Sequence, residues 1–579
     1  GVGTTFAYDA TAYEDDNRLY YTSADAAPDD FSFNFGGRVG KFMFNRDGDI
    51  VSDSKLKIVP TISSNQILSW EIIADDGVKY SFGQIERSSS IYGGAGWRNR
   101  GGSSPLVTTA WYLTKVTSPD GLSSIDLEYD LTYKANYHHE FSEVEYFQTR
   151  IYASCPGDPL LWYESYAIDT KSDAIFLKKI STSNLNIEFT TVATGIISIG
   201  RKLDVMKVTN KDGSEVKSFK FNYKPYSTGR FFLTSVQEQN TISSISIPPY
   251  KFSYDETPYP EYEDTFPTTC GIDAFGYFNG PRPSYRSRLP LATIADPGFP
   301  YLGAGGRTPN PSYVQAGILK EIIYPTGGYS RFTYEANDYS YVGNTFLGER
   351  KTGGGVRIKQ IKTSDGVNTS SDITRNFAYE LSSQPGISSG VIENEPSFTY
   401  EFSHFSFSSP GSNTSNSAFT GSITFHVPYK SLAFGYSEVK EKRSDGSYTA
   451  YYYYTPKDYP YVADSDDKSI IKVELFGGDA GQGKYFKLAD HPFFKFDGKN
   501  NYMRGLLNET KVFNSLGKPL VSTVYLYQQR NIEKLYAIQQ EDQSNSVYNC
   551  NPVPVYFHFA RNYFINIGRA ELIQQSENL

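Results

Sequence analysis

The histidines are the first residues to consider for metal or acid–base chemistry. They are His138, His139, His404, His426, His491 and His558. No two of them have the His-x-x-x-His spacing with which one helix presents a pair of imidazoles to zinc. The only cluster is His138-His139-Glu140. A solvated loop or strand edge is the simplest interpretation of this cluster, and adventitious metal binding is the alternative.

Acidic runs could supply the oxygen ligands that calcium prefers. Asp464-Ser-Asp-Asp467 and Asp15-Asp16 are candidates, but neither has the spacing of a twelve-residue calcium loop. Solvated turns are therefore the simpler interpretation, and we expect no cofactor, with calcium as the one that stays open. A glycosidase needs two carboxylates about 5 to 10 Å apart, and spacing cannot reveal such a pair among 64 scattered acids.

Signatures of nucleotide binding and acyl transfer are also missing. Gly353-Gly-Gly355 and the stretch from Gly93 to Gly102 lack the Lys-Ser/Thr pair and the strand-to-helix context of a phosphate-binding loop. No Gly-x-Ser-x-Gly elbow is expected between a strand and a helix. The sequence therefore predicts no catalytic, cofactor-binding or metal-binding residue, and disfavours an enzyme.

Composition shifts attention to the scaffold. The 579 residues include 48 Tyr and 39 Phe, and 49 Gly and 30 Pro are spread along the chain. Aromatic residues favour pleated, half-buried surfaces, and frequent turn residues suit many short strands. We therefore predict an all-β fold with little helix. The apolar spacing of Asn531 to Gln540 is compatible with a short helix, but a strand fits it as well.

Charge and hydropathy exclude two kinds of partner. The net charge of −9 provides no basic field for nucleic acid, and no apolar run is long enough to span a membrane. The cysteines Cys155, Cys270 and Cys550 are odd in number and far apart, so they predict neither a disulfide framework nor a zinc site. Because the chain starts with Gly1 instead of Met, we expect further sequence upstream.

One unit of sequence recurs along the chain. From Leu113 to Tyr129, an alternating strand leads into Pro-Asp-Gly, and a second alternating strand ends in Tyr. This is the pattern of a β-hairpin, because Gly and the preceding Asp tolerate the backbone conformations of tight turns. Similar units start near Gly40, Trp70, Met206, Leu319, Ile358, Val439 and Leu507. A single hairpin is marginal in water, so we expect the units to pair edge to edge into one curved or coiled sheet.

The residues we expect to matter are architectural. The predicted turn residues are Gly48, Gly77, Gly121, Gly213, Gly327, Gly328, Gly366, Gly446 and Gly517. The predicted structural aromatics are Trp111, Tyr129, Tyr223, Tyr254, Tyr324, Tyr334, Tyr379, Tyr436, Tyr525 and Tyr527. Of these, Tyr129, Tyr223, Tyr334, Tyr379 and Tyr527 are expected to pack in rows on one sheet face.

The chain is predicted to be one continuous scaffold without a firm domain boundary. Looser sub-blocks cover residues 1–134, 200–380 and 434–579. The insertions or loops predicted within the repeat are Ser88 to Ser104, Asp296 to Pro311 and Ser383 to Ser417.

Several tracts resemble the large Rhs/YD-repeat proteins of Bacteroidota. They begin at Pro28, Ala110, Ile247, Phe275, Ala316, Gly354 and Phe434, and the strongest runs from Ala316 through Tyr-Pro-Thr-Gly-Gly to Tyr329. The resemblance implies a ribbon of hairpins that coils into a hollow shell around a C-terminal effector, as in polymorphic toxins. The motif at which such shells cleave themselves is missing, so processing is not carried over to this chain.

The expected function is therefore a non-catalytic shell or scaffold in a secreted or cell-surface protein. Its expected partners are further segments of its own chain, including an enclosed effector, and an outer-membrane secretion machinery. The last residues, Glu571 to Leu579, resemble the first strand of another unit, so we expect the polypeptide to continue. The alternatives are an adhesin or glycan-binding β platform, and a polysaccharide hydrolase with an unrecognised acidic site.

Overall fold

The prediction of an all-β fold is confirmed by the computed structural model of the chain. It describes residues 29–45, 47–95, 102–103, 105–131, 136–152, 160–194, 200–227, 230–239, 247–258, 270–281, 308–395, 399–408, 418–426, 434–460, 468–475, 484–487, 501–549 and 551–578. Within them the regular structure is β-strand, apart from short 3₁₀ turns such as Thr369–Ser371 and Asn501–Met503.

The strands are numbered in chain order. The first twelve are β1 Phe31–Phe35, β2 Arg38–Phe44, β3 Ile50–Ser52, β4 Lys57–Ser63, β5 Gln66–Ile73, β6 Lys79–Ala95, β7 Gly102–Ser103, β8 Val107–Thr117, β9 Ser124–Asp130, β10 Asn136–Tyr152, β11 Leu160–Ser172 and β12 Phe176–Ser181. The next twelve are β13 Leu185–Ala193, β14 Arg201–Asn210, β15 Glu215–Ser227, β16 Arg230–Gln239, β17 Tyr250–Tyr254, β18 Cys270–Ile272, β19 Phe278–Pro281, β20 Leu319–Ile323, β21 Tyr329–Val342, β22 Thr345–Ser364, β23 Ile373–Ala378 and β24 Glu380–Leu381. The last are β25 Gln384–Ser388, β26 Gly390–Ile392, β27 Thr399–Ser408, β28 Ala418–His426, β29 Phe434–Tyr436, β30 Glu438–Arg443, β31 Tyr448–Tyr453, β32 Lys468–Leu475, β33 Lys484–Lys487, β34 Leu507–Phe513, β35 Pro519–Asn549 and β36 Asn551–Asn578.

A single 29-stranded sheet contains most of these strands. Its backbone is a series we call the main ladder, in which each strand pairs antiparallel with the next. The main ladder runs β4, β5, β6, β8, β9, β12 to β17, β20 to β23, β30, β31, β34, β35 and β36. Where the chain leaves the ladder to form an inserted segment, it returns beside the ladder strand that it left, as β12 does beside β9. The hairpins therefore join sideways in the order in which the chain makes them.

The inserted strands pair back onto the same sheet or form small sheets of their own. β11 pairs with β6, β10 pairs with β28, and β32 pairs with β36. β26 lies parallel to β21 and antiparallel to β29, while β18–β19 and β24–β25 are separate two-stranded sheets. The stretch from Ser383 to Ser417, predicted to be a loop or insertion, thus contains β25, β26 and β27.

One turn geometry recurs in the hairpins. The N–H of the first turn residue donates to the carbonyl four residues later, and the N–H of a glycine with positive φ donates back to the first residue. This is a type I turn followed by a glycine bulge, which suits the twist of antiparallel strands. Its glycines are Gly48, Gly77, Gly213, Gly276, Gly327, Gly446 and Gly517, and Gly121 closes a version that is one residue longer.

The turns of this kind that join ladder strands, which excludes those of Gly48 and Gly276, lie along one rim of the main ladder. Gly77 faces Pro119 of the next turn, and Gly446 faces Ser515. A Cβ on Gly366 would overlap the carbonyl oxygen of Gly327, whereas a Cβ on Gly327 would meet no atom within 4 Å. Alternation of antiparallel strands puts every second connection at the same rim, so a shared rim follows from pairing in chain order.

An aromatic core forms at the N-terminal end, where β1 to β3 pack as a separate sheet on β4 to β8. Phe33, Phe35, Phe42 and Trp70 are its buried rings. Strands β1 and β5 alternate, so that one face carries these rings and the other faces solvent. A buried ring contributes about 1.5 to 3 kcal/mol relative to an exposed one.

The structure locates some of the segments that the sequence singled out. Asn531 to Gln540 belongs to strand β35, so the strand alternative is the one the structure adopts. His138, His139 and Glu140 lie in strand β10, where the histidines pair in register with Thr170 and Asp169 of β11. The acidic runs at 15–16 and 464–467 lie outside the described residues, as do Cys155, Cys550 and residues 296–307.

Turn geometry makes a prediction at Gly213, where an added Cβ would meet no atom within 4 Å and φ is +87°. We expect Gly213→Ala to lower the free energy of unfolding by about 1 to 2 kcal/mol, because the left-handed region penalises a β-carbon. Gly213→Asn should lose less, since Asn tolerates that region. Urea unfolding of both variants checks this, and equal stability of Gly213→Ala and the wild type would contradict the turn assignment.

Candidate functional site

The hairpins are tied by a repeated tyrosine hydrogen bond, which we call the tyrosine clamp. A tyrosine near the end of the second strand donates its hydroxyl to the carbonyl of a Leu or Ile on the first strand. The donor–acceptor distances are 2.6 Å for Tyr129 to Leu113, 2.9 Å for Tyr254 to Leu233, 2.7 Å for Tyr379 to Ile358 and 2.9 Å for Tyr527 to Leu507. In all four, the tyrosine is one residue beyond the position directly opposite its acceptor. The tyrosine that ends each of these four sequence units is thus the donor of the same hydrogen bond.

Two further predicted tyrosines occupy the equivalent position. The register places Tyr223 diagonally across from Leu203, and Tyr334 diagonally across from Leu319. Burial raises the pKa of both phenols, as it does for Tyr129, Tyr254 and Tyr527. These tyrosines therefore stay neutral over the physiological range and act as packing and hydrogen-bonding groups.

Three of the five tyrosines expected to form rows have other aromatic neighbours. Tyr129 contacts the ring of Tyr112, Tyr379 contacts that of Tyr436, and Tyr527 contacts that of Tyr454. Among the residues that the structure describes, no ring contact joins two of the five. A tyrosine recurs in each hairpin, but the hairpins are too far apart along the ladder for these rings to touch.

The remaining predicted aromatics have individual roles. Trp111 donates its indole N–H to the carbonyl of Ile67 at 3.2 Å and packs edge-on against Trp70. Tyr324 shares a hydrogen bond with Ser330 at 2.9 Å. Tyr525 lies half-buried on β35, two residues before the clamp tyrosine of that hairpin.

The predicted turn glycines fall into three situations. Those of the recurrent turn have positive φ, and so does Gly366, although Gly366 lies in a longer loop that includes Thr369–Ser371. Gly328 is different, because its carbonyl closes the turn begun by Tyr324. A Cβ on Gly328 would lie 2.7 Å from the carbonyl oxygen of Ser364, so space rather than backbone conformation demands glycine there.

Three of the resembling tracts, distant in sequence, meet at one place, which we call the arginine junction. Gly353, Gly354 and Gly355 bulge out of β22 opposite Asn337 of β21. Phe275 and Tyr277 pack directly on Gly354 and Gly355, and Phe434 packs on Gly353. The amide of Asn337 donates to the carbonyl of Gly354 at 2.9 Å, so the bulge is closed by a side chain.

Arg357 is the centre of the arginine junction, with only 9% of its side chain exposed. Its two terminal nitrogens donate to both carboxylate oxygens of Asp338 at 2.6 and 2.8 Å, and its Nε donates to Glu335 at 2.8 Å. The guanidinium also stacks on the rings of Tyr379 and Tyr436, 4.5 and 5.3 Å from their centroids. A planar, bidentate donor fits this arrangement, and an ammonium group would not.

The pKa values of Arg357, Tyr379 and Tyr436 at this junction are all raised. Burial disfavours the charged form of Arg357, but hydrogen bonds from it to Asp338 and Tyr436 outweigh burial and raise its pKa. Burial raises the pKa of Tyr436 to about 12, and raises that of Tyr379 further. The Tyr436 hydroxyl donates to Asn337 Oδ1 at 2.9 Å and accepts from Arg357 at 2.9 Å. Arg357 therefore stays charged, and Tyr379 and Tyr436 stay neutral, near neutral pH.

A Gly-x-Ser-x-Gly stretch, Gly386 to Gly390, lies next to the junction. Its Ser388, the last residue of β25, is fully buried and donates to the Asp338 carboxylate, which also binds Arg357, at 2.5 Å. Ser389 is equally buried and donates to the carbonyl of Glu438. Because no helix follows and no substrate can reach Ser388, these serines hold β26 in place and do not form a nucleophile elbow.

The segments on either side of β3 contact the last two strands of the main ladder. The Lys55 ammonium, just before β4, lies 3.1 Å from the carboxylate of Glu571 on β36. Asn45, after β2, donates to Glu533 on β35 at 3.3 Å. Hydrogen bonds from Lys55 and Arg569, with Arg530 close by, lower the pKa of Glu571 to about 2. We call this contact the end-to-end contact.

Sequence reasoning missed the arginine junction as a unit. The tracts that build it were recognised one by one, but Asp338, Ser388 and Glu335 carry no local signal. A usable signal was Gly353-Gly-Gly355 followed by Arg357, since three glycines in a strand indicate a bulge or a close approach.

Two other kinds of feature, a metal-binding cluster and a membrane-spanning helix, are absent from the described residues. No group of three or more His, Cys, Asp and Glu side chains is arranged to hold a metal ion. The described part of the chain has no helix long and apolar enough to cross a membrane. Comparison with models of known protein families and with curated proteins returned no match.

The tyrosine clamp can be tested by removing one hydroxyl. We expect Tyr527→Phe to lower the free energy of unfolding by about 1 kcal/mol, because the hydrogen bond to Leu507 is lost while the ring stays. Tyr525→Phe, on the same strand, is the matched control and should change stability little. Equal effects of the two substitutions in urea unfolding would argue against the clamp.

The arginine junction predicts that Arg357 cannot be exchanged for lysine. Arg357→Lys should lower the free energy of unfolding by about 2 to 3 kcal/mol, because the bidentate pair with Asp338 is lost in a buried place. Arg331→Lys, at a site where 57% of the side chain is exposed, should cost about 0.5 kcal/mol or less. Denaturation midpoints check both, and a tolerated Arg357→Lys would show that the junction is not specific for arginine.

The end-to-end contact predicts a particular acid sensitivity. The folded pKa of Glu571 is below its ordinary value of 4.5, so its ion pairs stabilise the fold above pH 4.5 and are lost as the pH falls towards about 2. Glu571→Gln should therefore unfold at lower temperature than the wild type at pH 7, and the two should converge in acid. Glu577→Gln on the same strand is the control, and a constant difference across this pH range would exclude the ion pairs as the cause.

Proposed function

We propose that this chain is a non-catalytic β scaffold that forms the wall of a hollow shell in a secreted or cell-surface protein of the Rhs/YD-repeat type. The observation that carries the proposal is the main ladder, in which hairpins pair sideways in chain order from β4 to β36. An enzyme needs groups that converge on an accessible space, whereas this architecture spreads its specific contacts along a wall.

The buried polar groups support a structural role. Arg357 and Asp338 satisfy one another at the arginine junction, and Arg504 pairs with Glu393 at 3.0 Å with 9% and 13% of their side chains exposed. Groups whose hydrogen bonds are consumed internally rigidify a fold and leave little free for substrate. The hydroxyl groups of the tyrosine clamps are likewise used in hydrogen bonds within the fold.

Closure of the wall is supported by two features. Strands twist, so a sheet with this many members curls. The Lys55–Glu571 pair and the Asn45–Glu533 hydrogen bond bring the segment just before the ladder into contact with its last two strands. A curled wall whose ends touch encloses a space.

The resemblance completes the proposal. In a protein of this type the wall would enclose an effector supplied by further sequence, and an outer-membrane secretion machinery would export the whole. Extracellular localisation follows from that role. The repeated hairpin unit, with its Asp-Gly or related turn and terminal tyrosine, is the part of the resemblance that the fold supports.

Small-angle X-ray scattering of the chain, combined with zero-length carbodiimide cross-linking, tests this function. A hollow wall predicts a pair-distance distribution skewed to long distances, and an intramolecular Lys55–Glu571 cross-link. Lys217 and Glu238, 3.1 Å apart on neighbouring ladder strands, give the positive control. A filled-sphere distribution, or the control cross-link without the Lys55–Glu571 one, would reject the shell.

A further inference from the structure

A cleft of about 920 Å³ opens between the N-terminal sheet and strands β5 to β8. Its floor is aromatic, because the half-buried rings of Phe31 and Trp111 line it and lie 6.2 Å apart between centroids. The buried ring of Trp70 supports both of them from behind. Volumes of this size are typical of pockets that enclose an organic ligand.

The lining of the cleft also contains polar, uncharged residues. Ser32, Asn34, Asn65, Gln66 and Thr108 contribute hydroxyl and amide groups to its lining. Amides both donate and accept hydrogen bonds, and hydroxyls do the same. Such a lining matches a ligand that carries many hydroxyl groups.

The charged residues of the lining do not favour an ionic ligand. Asp29, Asp30 and Arg87 contribute both signs, and the Asp30 carboxylate is paired with Lys41 at 3.0 Å. A phosphate or sulfate would need a concentration of positive charge, and a cationic ligand would need uncompensated acids. Neither is present in the lining of this cleft.

The two amides are held in place by a tight turn. Ser64 and Asn65 both have positive φ, 50° and 59°, and they connect β4 to β5 as a two-residue turn. These values are those of a type I′ turn, which usually contains Asn-Gly. Ser64 in this conformation is strained, and strain of this kind is found at ligand-binding sites. The turn fixes Asn65 and Gln66 at the edge of the aromatic floor.

We propose that this cleft binds a neutral oligosaccharide. The apolar face of a sugar ring would pack on Phe31 and Trp111, and its hydroxyls would exchange hydrogen bonds with Asn65 and Gln66. The site is independent of the shell, since it uses only β1 to β8. It would let the scaffold attach to a glycan while its wall serves another purpose.

Isothermal titration calorimetry of the full chain tests this with cellohexaose, chitohexaose and maltohexaose, each up to about 10 mM. We expect one saturable site for at least one of them, with a shift in tryptophan emission because Trp111 lines the cleft. Binding to none of the three sugars would overturn the proposal. So would tighter binding of the charged hexagalacturonate.

Variants locate the site without disturbing the core. Asn65→Gly keeps the positive φ and removes the amide, and Gln66→Ala removes the second one, so N65G/Q66A should weaken binding at least tenfold. Gln528→Ala, an exposed amide on the distant strand β35, is the control and should bind as the wild type does. Equal binding by N65G/Q66A and the wild type would place the sugar elsewhere and refute the cleft.

Discussion

Sideways pairing of hairpins is the interaction on which the rest of the structure depends. A two-stranded hairpin leaves unpaired N–H and C=O groups along both edges and has too little buried surface to be stable alone. Here the second strand of one hairpin pairs with the first strand of the next, as β15 does with β16 and β9 does with β12. Each hairpin therefore satisfies the edge of its neighbour, and stability belongs to the series.

Two local devices keep the series in register. The type I turn with its glycine bulge sets the start of many hairpins, and in four of them the tyrosine clamp ties the far end to the first strand. Between these two points the strand pairing cannot slip by one residue, because such a slip would exchange the buried and the exposed face of the strand. Contacts between successive turns then align neighbouring hairpins along one rim.

Insertions are accommodated where the ladder is interrupted by a bulge. Gly353 to Gly355 leave the ladder so that Phe275, Tyr277 and Phe434 can approach the backbone of β22. Arg357 then binds the groups that the inserted strands bring to this place. Gly390 shows how close the packing is, because a methyl group there would overlap the carbonyl oxygen of Asp338, while neighbouring Gly435 has open space. A glycan-binding cleft at one end would give the same wall a point of attachment.

What could be predicted from the sequence followed from local rules. Turn residues at fixed offsets, alternation and an aromatic at the end of each unit led to the all-β prediction, because each depends on a few neighbouring residues. The arginine junction could not be predicted, since Asp338, Arg357, Ser388 and Tyr436 meet only after a parallel pairing of β26 with β21. The clamp partners were missed for a related reason, because Tyr379 reaches a carbonyl 21 residues away. The spacing of apolar residues in 531–540 could not distinguish a helix from a strand. The pairing of this segment with β36 makes it a strand.

Residue-resolved hydrogen–deuterium exchange tests the central claim most directly. Amides that bond between hairpins, such as those joining β15 to β16, should exchange as slowly as amides within a hairpin, such as those joining β14 to β15. The account predicts one common level of protection along the main ladder. Fast exchange between hairpins beside slow exchange within them would mean that the hairpins are independent, and would contradict the account.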